Sequence, residues 1–268
     1  MKEERVELIL SVLYISCAIL SVSSLICMAI IWQYWTWVLD VCISIDCGCI
    51  LYCNNTFSTF VGGDVKLCHF GVYGLIPVTV IGLFLGGYHG YRSCINRNLD
   101  APTRIYDDRN LNINDPTAVT ITIRSRRRTP YTQWMPTVFL TILLSCLSLS
   151  HAIIVTDGYY KTCEEYRKRL IQLLGSNGRE AEVIYNRLSC GAIFDFMDYL
   201  QTDVADWNRI QPTDTGLALQ IAIISTWFNF IFWVLSFILN YIMCFPILCV
   251  DNHVILITDI LSYFPKLC

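Results

Sequence analysis

Six cysteines and one asparagine carry most of the chemistry this sequence offers. Cys47, Cys49, Cys53 and Cys68 stand close together in DCGCILYCNNTFSTFVGGDVKLC, and Cys163 and Cys190 stand far downstream. In an oxidising compartment such thiols form disulfides. With Cys42 left free beside the first apolar stretch, six remain, and six cysteines allow fifteen pairings. Cys47 and Cys49 are separated by one residue and cannot easily pair with each other. Connectivity is not fixed by the spacing, and at least one bridge from the first group to Cys163 or Cys190 is the pairing favoured. A C-x-C pair with a third thiol could also hold zinc, but an oxidising lumen favours disulfides and no metal is assigned. Asn54 opens the triplet Asn54-Asn55-Thr56, an N-glycosylation acceptor.

Motifs of other chemistries are missing. The sequence has no H-E-x-x-H, G-x-S-x-G, P-loop or dinucleotide fingerprint. His69, His89, His151 and His253 are scattered, and no nucleophile–base pair can be assembled. The reading is a protein without enzymatic activity and without a cofactor. A net charge of −3 gives no basic surface for nucleic acid.

The elements that must position these residues are apolar. The chain is 54% hydrophobic and 15% charged, with a mean hydropathy of +0.49. A soluble domain carries roughly 25% charged residues. Four stretches are long enough for about 30 Å of hydrocarbon. The predicted plan is an N-terminus at 1–5, spans at 6–35, 69–92, 134–156 and 216–243, loops at 36–68, 93–133 and 157–215, and a tail at 244–268. Trp32, Tyr34, Trp35, Trp134, Tyr159 and Tyr160 mark span ends, where amphipathic rings suit the headgroup region. The first stretch is too long for a signal peptide and lacks a small-residue cleavage site, so it is read as a retained span.

Loop 93–133 is rich in arginine, including Arg97, Arg104, Arg109, Arg124, Arg126, Arg127 and Arg128; loop 36–68 has one basic residue, Lys66. Positive-inside counting puts the arginine loop and both termini in the cytoplasm. The sequon and the six cysteines then lie outside, where their chemistry is available. The expected location is an integral protein of the secretory pathway or plasma membrane. Its fold class is an all-α membrane bundle of four transmembrane helices. An extracellular, disulfide-braced cap of two loops covers it, the second partly helical.

Within the spans, Gly82, Gly86 and Gly90 form a stripe for close helix contact, more often intramolecular than a dimer face. Pro77 should kink the second span. Asn229 falls near mid-bilayer and should bond across helices. His89 and Arg92 read as an interfacial polar pair. Cys94, Cys244 and Cys249 are juxtamembrane palmitoylation candidates, and the tail suits a short surface helix. TAVTITI alternates as a strand does. In loop 157–215, helical spacing runs through Cys163 to Leu173, is broken at Gly175 to Gly178, and resumes toward Cys190. Asp195, Asp198, Asp203 and Asp206 make the segment after it acidic.

Cys49-Ile-Leu-Tyr52, the sequon at Asn54, Cys68-His-Phe70, His89-Gly-Tyr-Arg92, Cys163, Trp227 and Trp233 together resemble the transmembrane protein 179 family of four-span proteins. This chain departs from that family in its longer cytoplasmic loop, extra cysteines in loop one and larger second outer loop. The resemblance implies the four-span plan and no catalytic residues. The claudin W…GLW…C…C motif is missing. The function expected is contact-making: an auxiliary, adhesion or scaffold subunit whose partners are the bilayer and another membrane protein or further copies of itself. The alternative is an oligomeric large-pore channel subunit. Against it stand the missing connexin triple-cysteine spacing and the lack of an ionisable pore ring. A transporter reading lacks internal repeats and buried charges.

Overall fold

A computed structural model describes residues 3–39, 47–56, 60–94, 103–106, 121–124, 131–175, 178–196 and 214–262. Backbone alone is described at 3–4, 37–38, 103–106, 121–124, 131–133, 174, 180, 195–196 and 245–262. The elements are α1 (Glu3–Leu39), β1 (Cys49–Asn55), β2 (Phe60–Gly63), α2 (Val65–Tyr73), α3 (Ile76–Cys94), β3 (Thr103–Tyr106), β4 (Ile121–Arg124), α4 (Tyr131–Leu174), α5 (Arg179–Arg187), α6 (Cys190–Phe196) and α7 (Thr215–Ser262).

Four helical segments are long and apolar enough to cross a membrane: Arg5–Thr36, Val65–Cys94, Trp134–Leu173 and Thr215–Cys244. They pack as a bundle in which α1 lies between α3 and α7, and α7 lies between α1 and α4. The packing has a regular register. On α1 the buried positions include Glu7, Leu10, Tyr14, Cys17, Ser21, Ser24, Met28, Ile31 and Trp35; on α7 they include Leu219, Ala222, Thr226, Asn229, Trp233, Ser236 and Asn240. Steps of three and four alternate along both helices, the 3.5-residue repeat of left-handed helix packing.

The second span is two helices. Asp64 caps α2, its Oδ1 accepting from the Lys66 amide at 2.9 Å. α2 ends at Tyr73 and α3 starts at Ile76. Pro77 has no N–H to bond the Tyr73 carbonyl, so the helix breaks one turn before it. Thr79 restores the ladder, with both its amide and its hydroxyl donating to the Leu75 carbonyl. The expected kink site is thus a two-residue interruption, across which Gly74 keeps a right-handed helical conformation and its amide donates to the Phe70 carbonyl.

The last helix, α7, continues through Ser262, so residues 245–262 of the tail are backbone-continuous with the last span and not a separate surface helix. The strand expected at TAVTITI is β4, and it is not alone: it pairs antiparallel with β3, Thr103 opposite Arg124 through Tyr106 opposite Ile121. Residues 125–130 of the basic run and 197–207 of the acidic segment lie outside the described residues.

The hydrophobic core is in two parts. One half, at the end where α1 begins, gathers Val6, Leu10, Tyr14, Leu85, Trp134 and Trp233. The other gathers Met28, Ile31, Trp35, Tyr159 and Phe194 with Cys49, Ile50, Leu51 and Phe60 of the β1–β2 hairpin. The hairpin is therefore part of the bundle core and not a loop lying over it.

Candidate functional site at the disulfide-bearing end

The first two disulfides to consider each close a local path. Cys49 bonds Cys68, tying β1 to α2 across a separation of 19 residues. Cys163 bonds Cys190, tying α4 to α6 across 27 residues. Cys47 is also disulfide-bonded. The expected bridge from the first cysteine group to Cys163 or Cys190 is therefore corrected: those two cysteines are satisfied by each other. Cys53 is corrected as well. It is a free thiol, fully buried, with its Sγ 3.4 Å from the Cys49 carbonyl and 3.3 Å from that of Ile50. Burial pushes this thiol up to about 12, so it stays protonated and unreactive. With Cys47 and Cys49 both in disulfides, no C-x-C thiolate pair is left to bind zinc.

What joins the two loops is polar and steric. α4 does not stop at the end of its span but runs unbroken from Tyr131 to Leu174. At 1.5 Å per residue that is roughly 65 Å, about twice the hydrocarbon thickness. The hairpin docks on the far half of this helix. Thr162 Oγ1 accepts from the Cys53 amide at 3.1 Å and donates to the Ile50 carbonyl at 2.7 Å. One buried hydroxyl thus satisfies two backbone groups that the irregular strand cannot pair. The Asn55 amide donates to Glu165 Oε2 at 3.4 Å, and Asn55 Nδ2 donates to Gln172 Oε1 at 2.9 Å. Gly158 permits the contact: a Cβ there would meet Leu51 Cβ at 2.9 Å and the Tyr52 ring at 3.0 Å.

The pairing of β1 with β2 explains the shape. Cys49 lies opposite Gly63 and Asn54 opposite Val61, so the register shifts between them. Tyr52 sits within that bulge at φ 60°, in the left-handed region. A side chain there costs roughly 1–2 kcal/mol. Its ring packs on Gly158, and Lys161 Nζ lies 5.4 Å from the ring centroid. Burial, followed by a hydrogen bond to and the charge of Asp157, raises the Tyr52 phenol to about 12. Gly62 and Gly63 permit the tight crossing, since a Cβ on either would overlap the carbonyls of Cys47 and Leu51 respectively.

The rest of this end follows from α4. Tyr159 stacks on Phe194 of α6 with centroids 4.9 Å apart, and Phe60 meets Tyr166 edge-on at 5.5 Å. Arg167 donates to the Leu188 carbonyl, and Thr215 at the start of α7 donates to that of Phe194. The helix break expected after Leu173 is present, with Gly175 and Gly178 both at positive φ. On α5, Val183 and Tyr185 are exposed. Asn54 is exposed on β1, whereas its neighbour Asn55 is held by α4.

The remaining sequence candidates fall elsewhere. Gly82, Gly86 and Gly90 all face α1: Cβ atoms there would meet Tyr14 O at 3.2 Å, Ile15 Cδ1 at 2.7 Å and Ser11 Oγ at 2.8 Å. Ser11 also donates to the Gly86 carbonyl at 2.8 Å. Asn229 donates to Ser148 Oγ of α4 at 2.9 Å, across the bundle. Cys94 is exposed. Cys244, expected at the surface as an acylation candidate, is instead buried, its Sγ 3.4 Å from Met135 Sδ. The Cys249 side chain lies outside those described.

Sequence reasoning missed Thr162, Gly158 and the polar group at the opposite end. There Glu7 is fully buried and its Oε1 lies 3.4 Å from Arg92 Nε. Arg92 Nη1 donates to Tyr88 at 2.9 Å. His89 is buried between Tyr14 and Trp134, at centroid distances of 5.8 and 6.2 Å. Arg92 thus pairs with Glu7 and not with His89, and the helices do contain a buried ion pair. The lone acid in the first apolar stretch was the available signal.

No protein-family model matches this chain, and neither a curated protein nor a solved structure matches it.

Proposed function

We propose that this chain is a non-enzymatic, four-pass membrane protein that works by contact, as an auxiliary, adhesion or scaffold subunit of a membrane complex. Its termini and the arginine-rich loop 93–133 would face the cytoplasm, and its disulfide-bearing end the exterior or lumen. The observation that carries this is the continuation of α4 far past a span length, with the β1–β2 hairpin stapled to it at Thr162. A helix that leaves the bilayer and is braced by a hairpin, α6 and disulfides is a stiff platform. Preorganised surfaces lose little entropy on binding a partner.

The arginine count and the exposed Asn54 support the orientation. Resemblance to the transmembrane protein 179 family belongs to the same reading and adds no activity to it. Particle imaging of the protein extracted from its native membrane tests the proposal. A monomer or a heteromeric complex is expected. A closed ring of six or more identical copies would replace this reading with the large-pore channel.

A further inference from the structure

A groove of about 450 Å³ opens on the outward face of the bundle between α1 and α2. That volume lies within the roughly 300–1,000 Å³ of small-molecule sites. Ala29, Trp32, Gln33 and Thr36 line it from α1, and Val72 and Tyr73 from α2. The groove continues the outward apolar stripe of α1, on which Ile19, Val22, Ile26 and Ile30 are exposed. It is flanked on the other side by exposed Tyr73, Ile76 and Val80. The approach of Gly71 to Met28 holds the two helices together beside it.

Three properties define the ligand. Polarity is graded: Ala29 lies toward mid-span, whereas Gln33 and Thr36 lie toward the disulfide-bearing end. Thr36 Oγ1 already donates to the Trp32 carbonyl at 2.6 Å and is left as an acceptor. The walls are aromatic: the Trp32 and Tyr73 rings stand at 75° with centroids 6.4 Å apart, and His69 packs edge-on against Trp32 at 4.8 Å. Among the described residues no lining side chain is charged, so a phosphate would find no cationic partner among them, although phosphate recognition calls for one.

We infer that this groove binds a sterol, its hydroxyl at Gln33 and Thr36 and its ring system against Trp32, Tyr73 and Ala29. An uncharged ring-system amphiphile with one small polar end matches the graded polarity, the aromatic walls and the uncharged described lining together. The inference rests on membrane insertion as read above, but not on any protein partner.

The test uses the full-length protein in phosphatidylcholine vesicles and a sterol carrying a diazirine in its ring system. Labelled peptides containing Trp32–Gln33 and Val72–Tyr73 are expected, with the signal displaced by unlabelled sterol. Ala29→Leu should abolish the labelling by filling the groove. Gln33→Ala changes an exposed side chain and should preserve the fold. It should weaken capture by about three- to ten-fold, what one neutral hydrogen bond is worth in an equilibrium. Val12→Leu, on the outward face far from the groove, should change nothing. Labelling spread evenly along the outward helix faces would overturn the inference. So would equal capture of a phospholipid or diacylglycerol probe at the same peptides. Flotation with the vesicles checks insertion separately: protein that does not float overturns the membrane reading, and the sterol site with it.

Discussion

Single side chains at the two ends of this bundle answer to different physics. Glu7 and Arg92 are charges taken out of water, and removing one takes a charged partner from the other. Glu7→Gln should cost about 3–5 kcal/mol, the usual penalty for breaking a buried pair. The double change Glu7→Leu with Arg92→Leu should recover most of it. Thermal unfolding of both variants in detergent measures this; a Glu7→Gln protein as stable as the parent would mean the pair contributes nothing. At the other end, Cys53 and Tyr52 are acids whose protonated forms the fold favours, each raised to about 12. The sign follows from the unfolded values of roughly 9 and 10. Stability is unaffected below about pH 9. It declines as the pH rises from there toward 12, because the unfolded chain releases these protons first. Unfolding scans from pH 8 to 11 should show this slope and show it flattened in Tyr52→Phe with Cys53→Ala. At pH 8 the Cys53 thiol should also resist alkylation until the protein is unfolded.

At the level of elements, the hairpin–α4 seam replaces the interloop disulfide that cysteine spacing suggests. Thr162→Val should leave the buried Cys53 amide without its acceptor and take the hydroxyl donor from the Ile50 carbonyl, which keeps the Cys53 thiol, at a cost of about 1–3 kcal/mol. Hydrogen exchange at the Cys53 amide should quicken markedly, while Thr162→Ser should restore protection. Unchanged exchange in Thr162→Val would show that the seam is held by the apolar contacts alone. This seam was not legible in the sequence for a physical reason. A threonine that satisfies two backbone groups of a bulged strand has no spacing signature, and the bulge depends on Tyr52 adopting a left-handed conformation that sequence disfavours. Helix existence, in contrast, was legible from length and apolarity. The packing register was not, because lipid-facing and core-facing positions are both apolar. Ser21, Ser24, Asn229 and Ser236, not the large aliphatics, mark the inward seam. The glycine stripe was readable since close approach leaves few alternatives to Gly82, Gly86 and Gly90.

For the molecule as a whole, an apolar bundle of helices continues into an end where the β1–β2 hairpin, α6 and a disulfide pack on the long α4. Orientation is checked by glycosylation: Asn54→Gln should remove one glycan from protein made in cells, and a parent chain without a glycan on Asn54 would count against an exterior hairpin. The proposed contact surface carries its own reporters on α4. Lys161 is exposed and Lys168 half-buried on the projecting half of the helix. The most direct measurement is cross-linking of intact cells with a membrane-impermeant amine reagent, followed by identification of the joined peptides. Cross-links from Lys161 or Lys168 to a different membrane protein are expected, lost when Cys163 and Cys190 are both replaced by serine. Cross-links confined to identical copies of this chain, or partner links that survive the loss of that disulfide unchanged, would contradict this expectation.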